Sequence, residues 1–187
     1  MKTLTRDFLA LFNAFWYRDF PITEDHKPFG SRAEWTTHIG ICVRSCADLL
    51  GYFTHFEAGN RTDAVVKDNA GRDVVHIEWE WLNPRNVKVN EIKKLRANAK
   101  DTELSVLITY SDLIYHKENL DAIKQQWGKN PNPLLVFLVT YNRKGKRFFE
   151  DIETHHLQNG RMDKKRSQPA LPWKRKGTRW ERGDCDG

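Results

Sequence analysis

The stretch TDAVVKDNAGRDVVHIEWEW, residues 62–81, decides the reading of this chain. Residues 62–68 and 73–81 are rich in Val, Ile and Trp and are separated by Asn-Ala-Gly-Arg, the pattern of a β-hairpin. Side chains alternate across a strand, so Val75, Ile77, Trp79 and Trp81 share one face and Val74, His76, Glu78 and Glu80 the other. A turn centred near 69–71 pairs positions whose numbers add to 140–141, which sets Asp63 beside Glu78. Carboxylates at i and i+2 on one strand face stand about 6–7 Å apart at their Cα atoms. Like charges that close raise each other's pKa unless a cation compensates them. A hard divalent cation such as Mg²⁺ or Mn²⁺ takes carboxylate oxygens and keeps waters, and phosphodiester cleavage uses such a cluster. The competing reading of Glu78 and Glu80 is a solvated strand surface with Lys or Arg partners across the sheet. His76 shares their face and is read as a packed or surface histidine.

Outward from the hairpin, Ser31 and Glu34 stand in capping-box spacing at the head of a helix over 31–50, which alone would explain Glu34. Leu4, Phe8, Leu11 and Phe15 give residues 3–17 a helical stripe. PITEDHKPFG, residues 21–30, reads as a connection. Residues 52–57 form a strand candidate, 86–99 and 118–127 helices, and LSVLITY (104–110) and LLVFLVTY (134–141) strands buried on both faces. The order α-β-β-β-α-β-α-β implies an α/β fold with a mixed sheet flanked by helices. We divide the chain into an N-terminal helix and connection (1–30), a core (31–142) and a basic C-terminal extension (143–187), the last a hairpin around Gln158-Asn159-Gly160 and then a tail from Pro169.

Charge is uneven. Residues 143–187 carry 13 Lys/Arg against 7 Asp/Glu, so the whole formal excess of +6 lies there. Lys164, Lys165, Arg166, Lys174, Arg175, Lys176 and Arg179, interleaved with Trp173 and Trp180, suit a nucleic-acid partner: cations for phosphates, aromatic faces for bases. The plainer alternative tucks Trp173 into the domain and leaves the cations solvated. No apolar run is long enough for a membrane span. The first twenty residues lack a small-residue cleavage site and carry charges on both sides of their apolar part, unlike a signal peptide. The three cysteines, Cys42, Cys46 and Cys185, form no CxxC pair, and Cys42 and Cys46 are expected to pack on a helix rather than bridge. The expected setting is the cytoplasm. P-loop, dinucleotide and nucleophile-elbow motifs are absent.

From Gly30 to Trp81 the chain resembles the PD-(D/E)XK nuclease superfamily, which includes restriction endonucleases and archaeal Holliday-junction resolvases. That resemblance implies a restriction-endonuclease-like core, αβββαβ in order, over residues 31 to about 140. It implies a metal-dependent endonuclease that hydrolyses DNA, whether duplex, branched or single-stranded. Glu34 resembles the helix glutamate, Asp63 the metal-binding aspartate and Glu78 the second acidic residue. Two positions depart from the pattern: Thr62 replaces a proline, and Glu80 stands where the superfamily has the lysine that positions or activates water. Lys67, Lys93 and Lys94 are the candidates to replace it, and Glu80 becomes a third ligand or a water-orienting group. Double-strand cleavage by one site per chain would favour a homodimer. The rival readings are a nuclease fold that binds nucleic acid without cutting it, and a regulatory protein whose aromatic surface meets another protein.

Overall fold

The computed structural model describes residues 1–21, 31–58, 62–144 and 146–181. Most of the 21–30 connection, residues 59–61 and Cys185 lie outside these. Seven strands form one sheet in chain order: β1 (Phe53–Ala58), β2 (Thr62–Lys67), β3 (Asp73–Glu80), β4 (Leu104–Asp112), β5 (Leu134–Lys144), β6 (Lys146–Gln158) and β7 (Arg161–Pro169). Only β3–β4 and β4–β5 are parallel; the other four pairings are antiparallel. The parallel pairings are those whose connections contain helices, α3 (Glu91–Asn98) and α4 (His116–Trp127), as crossover geometry requires. Helices α1 (Thr3–Arg18) and α2 (Arg32–Leu49) cover the opposite face.

The period-2 pattern sorts the buried side chains between the two layers. Leu135, Phe137 and Val139 of β5 join the α1–α2 layer, while Leu134, Val136 and Leu138 join the α3–α4 layer. In β3, Val75 and Ile77 face α1 and α2, so His76 and Glu78 face the other way. The hairpin pairs Ala64 with Ile77 and Val66 with Val75, a sum of 141, as its turn predicts. Asp68 shapes that turn by accepting hydrogen bonds from the N–H groups of Ala70 and Arg72, and Gly71 takes the left-handed φ of 77°. At α2, Ser31 and Glu34 form the expected capping box. The helix expected over 86–99 is shorter, because residues 82–90 are irregular and α3 begins at Glu91.

The C-terminal quarter continues the sheet rather than extending from it. The hairpin expected at 158–160 forms, but β5 turns into β6 near 145, so the division drawn at 142 falls inside a β-hairpin. The segment after Pro169 is pinned to α1. Trp16 Nε1 donates to the Ala170 carbonyl at 2.8 Å, Tyr17 Oη to the Pro169 carbonyl at 2.5 Å, and Asn13 Nδ2 to Thr154 Oγ1 at 2.9 Å. Trp173 packs edge-on against Phe20, and Trp180 lies beside Tyr17. Cys42 and Cys46 are free and buried. Among the described residues, no helix is long and apolar enough to cross a membrane.

Phe12, fully buried with its ring 4.1 Å from that of Phe137, ties α1 to β5. Phe12→Ala is expected to cost about 3–5 kcal/mol in denaturant unfolding, by lost burial and the cavity left behind. A loss below about 1 kcal/mol would mean that α1 is a peripheral appendage.

Candidate active site

The end of the β2–β3 ladder makes the site. Regular pairing stops at Ala64–Ile77, and beyond it the N–H of Trp79 donates to Asp63 Oδ2 at 2.7 Å. Asp63 is thereby fixed against β3, next to Glu78. The Glu78 carboxyl is fully buried, and its charge interacts with that of Asp63. Its Oε2 accepts from Lys94 Nζ at 3.3 Å, while its Oε1 has no hydrogen-bond partner. Lys94, near the middle of α3, also stands 3.6 Å from Glu91 Oε1, one turn earlier on that helix.

Burial, and then the neighbouring Asp63, pushes the Glu78 carboxyl up to about 8, although Lys94 opposes the shift. Asp63 is also raised, by burial, against the N–H of Trp79 and the charge of Lys94. The two behave as one unit that retains a proton towards neutral pH. Burial alone would lower the Lys94 pKa, but Glu78, Glu91 and Asp63 raise it, so the ammonium stays charged.

The other acidic candidates lie apart from this pair. Glu80 falls beside Glu78 by alternation, yet its carboxylate turns back to accept from the N–H of Leu82 at 2.9 Å and stands 3.8 Å from Arg32. Glu80, Arg32 and Asp63 line a cleft of about 190 Å³ walled by Trp35, Trp79 and Trp81. Glu34 is exposed, and its carboxylate is engaged by the N–H of Ser31. The structure thus brings together Asp63, Glu78 and Lys94, not Asp63, Glu78, Glu80 and Glu34. Among the substitute lysines, Lys67 pairs with Asp73, as does His76, at 2.8 Å, and Lys93 is exposed on α3. Glu91 was missed in the sequence, although its i, i+3 spacing to Lys94 was visible there.

A larger groove of about 450 Å³ runs from Asp63 and Trp79 between α2 and β1, past Phe56, Ile41 and Arg44. Asp63 thus borders open space on two sides, with Glu78 behind it. Two carboxylates and one unpartnered buried oxygen fit a hard divalent cation that completes its shell with waters and a phosphate oxygen. Among the described residues, no three His, Cys, Asp or Glu side chains are grouped so as to hold a metal ion on their own.

Most of the C-terminal cations have partners of their own. Lys164 Nζ stands 2.8 Å from Glu153, Lys165 3.4 Å from Asp163 and Lys174 3.1 Å from Glu150. Arg175 covers the ring of Tyr17, Arg179 that of Trp180, Arg166 is half-buried, and Lys176 is exposed. Glu153 gathers a second polar cluster. His155 and His116 approach its Oε2 at 2.8 and 3.3 Å, and Ser111 stands 3.1 Å behind His116. Burial raises its pKa, but hydrogen bonds from His116, His155 and Lys164 outweigh that and hold it well below the usual carboxylate range.

No family model matches the chain, and no curated protein matches it. Among solved structures it is similar to the YaeQ protein from Xanthomonas axonopodis pv. citri, at 11% identity over 62% of this chain and 69% of that one, with a TM-score of 0.28. It is also similar to the YaeQ protein from Pseudomonas syringae, at 14% identity over 78% of this chain and 82% of that one, with a TM-score of 0.30. Likeness at that distance says nothing of what this chain does.

The raised pKa of Glu78 has a consequence for stability. Between the ordinary glutamate value and about 8, the folded protein holds a proton that the unfolded chain has released, so stability falls as pH rises through that window. In metal-free buffer the slope is expected to approach, at most, about 1.4 kcal/mol per pH unit. Glu78→Gln should flatten it and raise the melting temperature at pH 8 relative to wild type. Parallel pH profiles for the two proteins would show that Glu78 ionises normally in the fold.

Proposed function

We propose that the protein is a metal-dependent endonuclease, restriction-endonuclease-like in its core, that hydrolyses DNA phosphodiester bonds at Asp63 and Glu78. The observation that carries this reading is the buried, partly unpartnered carboxyl pair with a lysine ammonium at 3.3 Å. Lys94, from the helix after the hairpin, then supplies the cation that the resemblance expects at position 80. Asp63 and Glu78 would hold the cation, with Asp63 at the cleft and Glu78 behind it. When bound, a divalent cation polarises the phosphate and lowers the pKa of a coordinated water. The chain's own groups do the rest. Asp63, fixed by the N–H of Trp79, sets where the phosphate sits. Glu78 gives up its proton as the site is loaded, so loading should strengthen with pH. Lys94 offers N–H donors to an oxygen that gains charge in the transition state. Trp35, Trp79 and Trp81 wall the cleft on the Asp63 side.

One observation favours a second reading. The Lys94 ion pair already offsets the charge of the cluster, as it would in a nuclease fold that binds nucleic acid without cutting it.

The test is cleavage of supercoiled plasmid, single-stranded DNA and a four-way junction with Mg²⁺, Mn²⁺ or EDTA. Asp63→Asn, Glu78→Gln and Lys94→Ala should each lower the rate by about 100-fold or more. Glu80→Gln and Glu34→Gln should stay within a few-fold of wild type, and the rate should climb with pH towards 8. Full activity in an Asp63→Asn, Glu78→Gln double variant would refute the assignment. Salt-sensitive binding with no cutting by wild type would establish the second reading instead.

A further inference from the structure

The cations best placed for a polyanion lie on α3 and the turn after it, not in the C-terminal quarter. Lys93, Arg96 and Lys100 are spaced i, i+3 and i+7, and all three are exposed. Residues so spaced share one side of a helical stretch. Lys100 belongs to the single 3-10 turn (Ala99–Asp101) that continues α3. Arg96 and Lys100 open into a cleft of about 480 Å³ at that end of the helix. Lys2 adds a third cation to it, and Thr102, Asn130 and Asn132 contribute polar walls. No acidic residue lines this cleft, and Asp101 stands outside its lining. Among the described residues, no carboxylate pairs with Lys2, Lys93, Arg96 or Lys100, in contrast to Lys164, Lys165 and Lys174. Arg96 is held in place by donating Nη1 to the Gln126 carbonyl at 3.0 Å, and no carboxylate among the described residues pairs with the rest of its guanidinium.

The polar side chains in the cleft point to its use. Thr102 Oγ1 donates to the Val74 carbonyl and Asn130 Oδ1 accepts from the N–H of Asn132, so the wall's acceptors are partly satisfied while the charged donors remain. Cationic donors with no carboxylate among them suit phosphate oxygens. The stripe also begins where Lys94 meets Glu78, on the same helix. Six residues of helix separate Lys94 from Lys100, about 9 Å of rise, or roughly three base-pair steps of duplex.

We propose that Lys93, Arg96, Lys100 and Lys2 form a binding track for a nucleic-acid sugar–phosphate backbone, running along α3 away from the Asp63–Glu78 pair. That the track leads a strand to the site rests on the nuclease reading; that it binds phosphates does not. The track is recognised by charge and spacing, so it reads backbone rather than base sequence.

The test is fluorescence anisotropy with the full chain in EDTA, using labelled 20-residue single-stranded DNA, duplex DNA and single-stranded RNA over a range of NaCl. Lys93→Glu/Lys100→Glu should weaken binding at least about tenfold and reduce the slope of log K against log salt by about two, one per lost phosphate contact. Lys174→Glu/Lys176→Glu should have the smaller effect, and both double variants should melt as wild type does, since all four side chains are exposed. Glu78→Gln should bind as wild type does whether or not wild type cuts, which separates failure of the nuclease reading from failure of this one. The relative affinity of the three probes identifies the backbone that the track takes. An unchanged affinity and salt slope in Lys93→Glu/Lys100→Glu, or no binding of any probe by wild type at low salt, would overturn the proposal.

Discussion

Glu78 has no access to solvent at the end of a central strand, and a carboxylate there must be neutralised. An unpaired charge so placed costs several kcal/mol, whereas a proton, an ion pair or a metal can each bring the cost down. Much of the local structure can be understood from this constraint. The β2–β3 ladder gives way after Ala64–Ile77, and Asp63 turns into the gap beside Glu78, anchored by the N–H of Trp79. Helix α3 packs over β3 so that Lys94 reaches one Glu78 oxygen, and Glu91 supports Lys94 from the preceding turn. A raised pKa and an ion pair therefore meet at one point, and one of the carboxyl's oxygens is still left without a partner. A perturbed acid beside a cleft is the kind of environment in which functional groups are found, although structural ion pairs also produce it.

The faces of β3 were legible because alternation is enforced by the backbone itself. Val75 and Ile77 had to share a layer, and Glu78 had to lie opposite it. The register of Asp63 was legible for a related reason: a short turn leaves few ways to close the hairpin, and a slip by one residue would bury the wrong face. Alternation stopped being a guide at Glu80, the last residue of β3. There the chain leaves the sheet towards Asn83-Pro84, and the nearest free donor is the N–H of Leu82, two residues on. No periodicity records that capture. The start of α3 was misjudged by five residues for a comparable reason. Asn83 is committed to tertiary bonds, its Oδ1 accepting from the N–H of Asp112 and its Nδ2 donating to Tyr141, so residues 82–90 follow these anchors rather than helical spacing.

Charge was the least legible property. Counting put the basic excess in residues 143–187 and read it as an extension. In the fold, β6 and β7 complete the sheet, and Glu153, Asp163 and Glu150 answer Lys164, Lys165 and Lys174. Net charge over a segment says nothing about which cations remain unpaired, because partners come from neighbouring strands as often as from neighbouring residues. Residues 91–101 carry an excess of only +2, yet their acids sit at the ends and their exposed cations line one side. Aromatic residues show the same separation of composition from placement. Trp173 and Trp180, which seemed available to stack on bases, close the core against Phe20 and Tyr17, while Trp79 and Trp81 wall the cleft beside Asp63.

The lysine at the site brings these arguments together. A lysine at position 80 would have to reach a carboxyl pair from a strand end, where the backbone is already turning away. From the second turn of α3, Lys94 approaches the same pair across the layer interface, held by helix packing and by Glu91 rather than by strand geometry. Placing the cation on the helix frees position 80 for an acid that faces Arg32 at the mouth of the cleft. It also ties the charge state of the buried pair to the docking of α3. Any change that shifts α3 on the sheet alters Glu78 directly, and the exposed cations on the same helix move with it. Lys94 and the basic stripe thus share one helix, while Asp63 and Glu78 stand on the two strands beside it.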